Sequence, residues 1–498
     1  MIAPLLLALA LAGGPSPAAA DALVVLSRHS GEVLASEGAI TWPLPVDFAL
    51  KPLRLAAWGP ALRVLGLAAL PGAAEATGMR PSPTISALGL AGAYRLLADA
   101  RPDLVDVRSR DAGAGTPAGL DAAPALEGAA LETGTVLDGA GNPRLGWIVA
   151  VDADVVLVLA RAGRTPRSLA GEAARALRAA RGPARGAARV QVFGLVEAMG
   201  VRARCARAGF ALAPEGPLAL EGTVDLAEAA RRGPLACVGG PWLVEVPGSK
   251  AGPRDSPRAY AGVFTLEPAP PGAPAAGEAG AAGATLREAR ARRGSDLVFR
   301  TTRLLYAAGV VAAEDAASAG PARVALARVA DANAQQARHP GRPVCDTTHC
   351  QAFLGTARAG EDNREALAHP LRATAWLPFS RGGLERWREA RVAADVARAL
   401  GGAPRGLAFR AGRVTWSTTV PDGRGGAREE RRDAGCEVLR GPLKLPSCPS
   451  TATLRGDEVV FAGRGAGHGE GLDLEWAKRS GLAAEEILRR SFGATLRP

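Results

Sequence analysis

The first half of the chain mixes apolar segments of two kinds. Runs such as "ALVVL" (22–26) and "LGWIVAVDADVVLVLA" (145–160) are typical of strands, whereas residues 163–182 form an Ala- and Leu-rich stretch that is typical of a helix. Alternating segments of this kind predict a mixed α/β or α+β domain over residues 21–265.

A stretch without any core-forming pattern comes next. Residues 266–285, "LEPAPPGAPAAGEAGAAGAT", consist mainly of Pro, Ala and Gly, so we predict a linker over residues 266–286. A second compact unit of mixed α+β character is expected over residues 287–498. Within it, the apolar spacing from Pro321 onward predicts a helix. The predicted fold class is therefore α+β, in two units.

The N-terminus has the pattern of an export signal. A short apolar run from Leu5 to Ala12 is followed by helix breakers and by Ala18-Ala19-Ala20, an A-x-A cleavage pattern. The run is too short to span a bilayer, and no later segment has an uninterrupted apolar run of that length. We therefore predict a signal peptide over residues 1–20 and an exported protein of the periplasm or cell envelope.

The net charge of the chain limits the classes of partner that it is predicted to bind. The 498 residues carry a formal net charge of +11, which suits an anionic partner such as a cell wall or a membrane surface. Nucleic acid is not the predicted partner, because no basic run is interleaved with the aromatic residues on which bases would stack.

The six cysteines fall into three local pairs. In an exported chain, Cys205 with Cys237 and Cys436 with Cys448 are predicted to form disulfides, since neither pair has a histidine nearby. The third pair is different.

Two cysteines and two histidines cluster within a short segment of this histidine-poor chain. The cluster comprises His339, Cys345, His349 and Cys350. Two nitrogen and two sulfur donors suit tetrahedral Zn²⁺. A Cys345–Cys350 disulfide with incidental histidines is the alternative, and spacing alone does not decide between them.

Glu314 is the candidate acid of the second unit. It ends an apolar run, and a carboxyl group beside apolar neighbours resists ionisation and can keep the proton that a general acid needs. The alternative is an ordinary first-turn glutamate that is stabilised by a helix dipole.

Four motifs occur in an order that resembles the SpoIID/LytB family over about residues 296–498. They are "YAAGVVAAE", "CDTTHCQ", "LPFSRGG" and "GRGAGHGEGL", the last followed by "GLAAEEILRRSFGA". The resemblance implies a peptidoglycan lytic transglycosylase that cleaves the MurNAc–GlcNAc bond of peptide-stripped glycan strands. Some members of the family are thought instead to assist a cell-wall amidase, so a non-catalytic glycan-binding protein or envelope scaffold is the alternative.

The resemblance also assigns residues. Glu314 falls on the catalytic glutamate of the family, and His339, Cys345, His349 and Cys350 resemble the zinc ligands of some members. The substrate-binding positions are Ser380, Gly467, His468, Gly469 and Gly471. Glu470 and Leu474 depart from the family pattern, and Leu474 stands where a glutamine is usual.

The glycines of the last motif do not match a nucleotide-binding loop. Their spacing does not satisfy G-x-G-x-x-G, so the dinucleotide fingerprint fails. A loop without side chains lets the backbone and His468 approach a sugar closely, and we expect a helix over Leu482–Ile487 to anchor it from behind.

The first unit has a shorter resemblance, over about residues 22–160, to a penicillin-binding transpeptidase domain. "ALVVLSRHSGEVLA", "PVDFALKP" and "LETGT" come in the order of its landmarks. Phe48 stands at the position of the serine nucleophile and Glu132 at that of the lysine of K-T-G. Since phenylalanine cannot be acylated, the resemblance implies an inactive module that binds wall peptides or acts as a scaffold.

Overall fold

A computed structural model describes the greater part of the chain. The described residues are 21–38, 43–45, 68–69, 83–100, 126, 128–137, 140–182, 186–193, 200–206, 208–213, 216–238, 240–246, 257–268, 295–315, 319–336, 343–346, 350–373, 377, 386–410, 413–421, 426–465 and 472–493. They contain both helices and strands in several sheets, which confirms the α+β class. The predicted signal peptide, residues 1–20, lies outside the described residues.

The strands, in chain order, are Ala22–Ser27 (β1), Val33–Gly38 (β2), Pro43–Pro45 (β3), Ala68–Ala69 (β4), Pro83–Ser86 (β5), Ala130–Leu137 (β6), Pro143–Val151 (β7), Val155–Ala162 (β8), Ala187–Gln191 (β9), Arg202–Cys205 (β10), Ala208–Ala213 (β11), Gly216–Leu220 (β12), Thr223–Asp225 (β13), Leu235–Val238 (β14), Trp242–Glu245 (β15), Arg258–Tyr260 (β16), Val263–Pro268 (β17), Ser295–Thr302 (β18), Val344–Cys345 (β19), Arg386–Val392 (β20), Arg405–Arg410 (β21), Arg413–Pro421 (β22), Ala427–Gly435 (β23), Pro449–Arg455 (β24) and Glu458–Arg464 (β25).

The helices are Ala87–Ala100 (α1), Pro166–Ala180 (α2), Leu226–Ala230 (α3), Arg303–Asp315 (α4), Pro321–Ala334 (α5), Glu361–Ala368 (α6), Ala393–Leu400 (α7), Glu437–Leu443 (α8), Leu474–Ser480 (α9) and Ala484–Phe492 (α10). The predicted helix that begins at Pro321 is confirmed as α5, with the proline at its N-terminus.

The chain divides into two compact units. The first comprises Met1–Ala187, Met199–Leu266 and Phe299–Thr302, and the second comprises Ala188–Ala198, Glu267–Val298 and Arg303–Pro498. The boundary between Leu266 and Glu267 falls where the predicted linker begins. Residues 269–286 of that linker lie outside the described residues.

A five-stranded antiparallel sheet lies at the centre of the first unit, with the strand order β2-β1-β8-β7-β6. Both of its faces are covered, one by the cluster that contains α1 and the other by the cluster that contains α2. Alternate residues of each strand point to opposite faces, so they pack in different clusters. On β1, Val24 packs in the cluster that contains α1, and Val25 packs in the cluster that contains α2. Burial on two sides explains why the sequence of these strands is almost continuously apolar.

The predicted strands and helix of this region are confirmed. The run at 145–160 is a hairpin of β7 and β8, and Asp152 forms its turn by accepting hydrogen bonds at Oδ1 from the backbone N–H groups of Asp154 (2.8 Å) and Val155 (2.7 Å). Helix α2 begins at Pro166, and the side chain of Thr165 caps it.

Both predicted disulfides are present. Cys205–Cys237 joins β10 to β14 in the first unit, with 5.5 Å between the Cα atoms. Cys436–Cys448 lies in the second unit, with 5.6 Å between the Cα atoms. Both separations lie in the ordinary range for disulfides.

In the second unit, α4 and α5 pack side by side. A buried ion pair holds the start of α4 to the side of α5, where Arg303 Nε donates to Asp331 Oδ1 at 2.6 Å. Arg328 of α5 donates to Glu485 of α10 at 2.7 Å, which fixes the C-terminal helix to the same pair.

The segment of residues 386–464 supplies two further sheets of the second unit. They have the orders β20-β25-β24 and β21-β22-β23, and a shared cluster that includes Leu439 and Phe461 packs them with α7 and α8. Strand β25 ends at Arg464, immediately before residues 465–471, the alternating glycines that are called the glycine motif below, so this segment sets where that motif begins.

Candidate functional site

Glu314 lies in the last turn of α4. The interpretation as a first-turn glutamate is therefore wrong, because the apolar run before Glu314 is itself a helix. Residues Leu304–Val311 of that helix are buried, whereas Glu314 is half-buried. The backbone N–H of Ala352 donates to Glu314 Oε1 at 2.8 Å, so one carboxyl oxygen has a defined position.

Glycine at position 309 allows the segment that carries Ala352 to approach α4. A Cβ atom on Gly309 would lie 2.6 Å from Cε2 of Phe353 and would also clash with the carbonyl oxygen of Gly355. The glycine of the "YAAGVVAAE" motif is therefore a close-contact residue, and it sets the distance from which Ala352 reaches Glu314.

A buried tyrosine joins Glu314 to the cysteine segment. Tyr306 Oη donates to Gln351 Oε1 at 3.0 Å, and its ring centroid is 5.4 Å from that of Phe353. Burial raises the pKa of Tyr306 well above its ordinary value, and the nearby Cys350, Cys345 and Glu314 raise it further. Three predicted site residues thus influence the pKa of one tyrosine, which the sequence alone did not single out.

The neighbouring carboxylate faces elsewhere, as expected for adjacent positions on a helix. Asp315 forms an ion pair with Lys478 of α9, and this contact, with a smaller effect of Glu475, raises the pKa of Lys478. Helix α9 starts three residues after Gly471, so the ion pair holds the helix behind the glycine motif against the end of α4, where Glu314 lies.

The cysteines of the predicted zinc cluster are both buried and are not bonded to each other. Cys345 lies on β19, which pairs in parallel with β9. The structure therefore does not contain the alternative disulfide. His339 and His349 lie outside the described residues, and within the described ranges no three His, Cys, Asp or Glu side chains are grouped to hold a metal ion. Buried thiols fit Zn²⁺ as half of a four-ligand set, and the zinc site stays a prediction.

The predicted sugar-binding residues Ser380, Gly467, His468, Gly469 and Gly471 lie outside the described residues, as does Glu470. The residues on either side of the glycine motif are described. The helix that follows it directly is α9, and Asp473 Oδ1 caps this helix by accepting from Trp476 N at 3.1 Å. The helix predicted over Leu482–Ile487 is α10, Ala484–Phe492, one element further along the chain.

A cavity of about 230 Å³ opens between the two ends of the glycine motif. Its described lining residues come from β20, the segment before β24, the residue after β25, and α9 with its N-cap residue. They are Arg386, Trp387, Pro446, Gly465, Asp473, Glu475, Trp476 and Arg479. The signal that could have indicated this cavity is a tryptophan shortly after each of two motifs, Trp387 after "LPFSRGG" and Trp476 after "GRGAGHGEGL", in a chain with few aromatic residues.

In the first unit, one of the two transpeptidase positions can be located. Glu132 lies on β6, at the edge of the five-stranded sheet, and it contributes to the raised pKa of the buried Tyr94, for which burial is the larger cause. Phe48 lies outside the described residues.

Comparison with known proteins leaves the family open. No protein-family model matches the chain, and no curated protein matches it in sequence. Among the helices of the described residues, none has both the length and the apolar character that crossing a membrane requires.

Proposed function

We propose that this protein is a peptidoglycan lytic transglycosylase with Glu314 as its general acid and base. The observation that carries the proposal is the hydrogen bond from Ala352 N–H to Glu314 Oε1. A carboxylic acid held in this way accepts at its carbonyl oxygen, and its second oxygen can carry the proton and donate it.

One carboxyl group is sufficient for the lytic route. Glu314 first gives its proton to the glycosidic oxygen, and the bond between that oxygen and C1 of MurNAc breaks. The carboxylate then takes the proton from the C6 hydroxyl of the same sugar, whose oxygen bonds to C1 and closes a 1,6-anhydro ring. The acid is regenerated, no water is consumed, and no second carboxylate is required, which agrees with the engagement of Asp315 by Lys478.

The proposed location is the periplasm or cell envelope. Two disulfides support it, because structural disulfides persist in oxidising compartments. The signal-like sequence at residues 1–20 supports it as well.

The proposed metal is a structural Zn²⁺ held by His339, Cys345, His349 and Cys350. Such an ion would fasten the segment that leads to Gln351 and Ala352, and thereby the amide that positions Glu314. Metal analysis of the purified protein, together with a thiol count before and after chelation, tests this assignment. One zinc per chain with two thiols exposed by chelation is expected, and two titratable thiols without any metal would contradict it.

Product analysis tests the reaction. The purified protein is incubated with peptide-stripped glycan strands, and anhydro ends are sought by mass spectrometry. Glu314→Gln should lower the rate of anhydro-end formation by about 10²–10⁴-fold, the usual contribution of a general acid and base, while glycan binding is retained. Glu365→Gln, at an exposed position of α6, is the matched control and should leave the rate unchanged. Equal rates for Glu314→Gln and the wild type would refute the assignment.

A second candidate is a non-catalytic glycan-binding protein that assists a cell-wall amidase or acts as an envelope scaffold. Leu474 favours it, because this residue replaces the glutamine that is usual after the glycine motif. Strand binding without anhydro ends at any pH, combined with faster release of peptides when a wall amidase is added, would support this function over the enzyme.

The inactive-transpeptidase assignment of the first unit predicts that a labelled penicillin does not acylate the protein.

A further inference from the structure

The cavity beside the glycine motif has one wall that is fixed by several independent contacts. Trp387 lies opposite Gly463 in the antiparallel pair of β20 and β25, and a Cβ atom on Gly463 would lie 2.6 Å from Cε2 of the indole. Trp387 Nε1 donates to Ser447 Oγ at 2.7 Å, and that hydroxyl donates to the carbonyl oxygen of Arg464 at 2.8 Å. The indole is therefore flat against the sheet, with its polar atom already bonded.

A second tryptophan comes from α9. Trp476 is half-buried, and its helix is held at both ends, by the Asp473 cap and by the ion pair of Lys478 with Asp315. Other tryptophans of the chain, such as Trp147, are fully buried in a core. The two cavity tryptophans instead combine rigid positions with partial exposure, which is how a binding site presents an aromatic surface.

The charges of the described residues that line the cavity balance. The described lining residues include two arginines, Arg386 and Arg479, and two acidic residues, Asp473 and Glu475. Asp473 accepts the hydrogen bond of the helix cap with one carboxylate oxygen. Oε1 of Glu475 lies 3.6 Å from Nζ of Lys478. Equal numbers of both signs disfavour a strongly anionic ligand, whereas guanidinium and carboxylate groups together bind neutral hydroxyl-rich ligands by hydrogen bonds.

We propose that this cavity binds one uncharged sugar residue, with a C–H face of the pyranose packed on the indoles and its hydroxyls bonded to the charged rim. A volume of about 230 Å³ is smaller than the ~300–1,000 Å³ of sites for drug-sized ligands, and it suits a single sugar. If the proposed function holds, the occupant is a GlcNAc residue of the strand, since MurNAc without its peptide carries a carboxylate. That last step rests on the proposed function, whereas the sugar-binding cavity does not.

Isothermal titration calorimetry with the N-acetylglucosamine trimer tests the proposal, with a galacturonic acid trimer as the anionic comparison. The wild type should bind the neutral trimer in a saturable manner and more tightly than the anionic one. Trp476→Ala should weaken binding by about tenfold, the upper range for loss of one aromatic contact, and Trp476→Phe should retain most of the affinity. Trp147→Phe, which alters a tryptophan in the core of the first unit, is the control and should bind as the wild type does.

Three results would overturn the proposal: absence of saturable binding by the wild type, equal affinity of Trp476→Ala, or tighter binding of the anionic trimer. Thermal melts of each variant identify loss of fold. If Trp476→Ala unfolds, Trp476→Leu, which keeps an apolar side chain but no aromatic face, replaces it with the same expected loss of affinity. The two proposals can fail separately. If the wild type binds the trimer but forms no anhydro products, the sugar-binding cavity is supported and the enzyme assignment is refuted. If Trp476→Ala forms products normally, with unchanged KM and trimer affinity, the enzyme assignment stands and the cavity assignment is refuted.

Discussion

The buried ion pair between Arg303 and Asp331 yields the sharpest stability prediction. Asp331 is 0% exposed, and Arg303 approaches it with two nitrogens, of which Nε lies 2.6 Å from Oδ1. Arg303 is the first residue of α4, the helix that carries Glu314 in its last turn. Replacing the arginine by methionine keeps much of the side-chain volume and leaves the carboxylate buried without its cation.

The expected cost follows from the burial. Removal of one partner from a buried ion pair costs about 3–5 kcal/mol, because the remaining charge stays desolvated. In a unit of this size each kcal/mol lowers Tm by about 2–4 °C, so Arg303→Met should lower the transition of the second unit by about 6–20 °C. The double variant Arg303→Met with Asp331→Leu should recover most of that loss, since an apolar pair has no charge to desolvate.

Differential scanning calorimetry at neutral pH measures the effect. The matched control is Arg413→Met, because Arg413 forms an ion pair with Asp433 in the same unit at 3.0 Å, with both side chains about half exposed. That change should cost less than about 1 kcal/mol. A shift for Arg303→Met no larger than that of Arg413→Met, or a double variant as unstable as the sum of its single changes, would refute the reasoning.

Three further predictions concern other parts of the chain. Replacing both Cys205 and Cys237 by alanine should cost about 2–4 kcal/mol of unfolding free energy, and equal melts of the oxidised and reduced wild type would contradict this. Gly134→Ala should cost about 1–3 kcal/mol of unfolding free energy, because its Cβ would lie 2.5 Å from Cε2 of Trp147. Near-UV circular dichroism should report the displaced indole. An unchanged spectrum and Tm would contradict this, since they would show that the core accommodates the methyl group. Burial raises the pKa of Asp331, so between its unfolded pKa of about 3.9 and the higher folded value the native chain keeps a proton that the unfolded chain has lost. The contribution of Asp331 to stability should therefore fall as pH rises through that window; Asp331→Asn should remove this slope from denaturant titrations, and an unchanged slope would contradict the assignment.

Local elements were predictable wherever one local cause dominates. The hairpin at 145–160 is almost continuously apolar, and Asp152 supplies the turn chemistry within the same few residues. The N-terminus of α5 was predictable from Pro321 for the same reason. The segment that ends at Glu314 was harder, because a short apolar run satisfies a strand, a turn or a buried helix equally well.

The candidate site could be predicted only as a set of residue types. Glu314 and the cysteines could be nominated from their chemistry, but the contacts that define their environment join positions far apart in the chain, as Ala352 with Glu314 and Lys478 with Asp315 do. No local pattern encodes such pairs.

The sequence by itself determined the α+β class, the strand character of the run at 145–160, the start of α5 and both disulfides, because each of these follows from local apolar pattern, helix-start residues or the chemistry of neighbouring residues. Only the tertiary structure decided which oxygen of Glu314 is held, that α9 rests against the end of α4, and that two tryptophans, one from β20 and one from α9, line one cavity. The physical reason is that hydrogen bonds, ion pairs and close packing depend on distances of a few ångströms between side chains, and those distances are set when the whole unit packs.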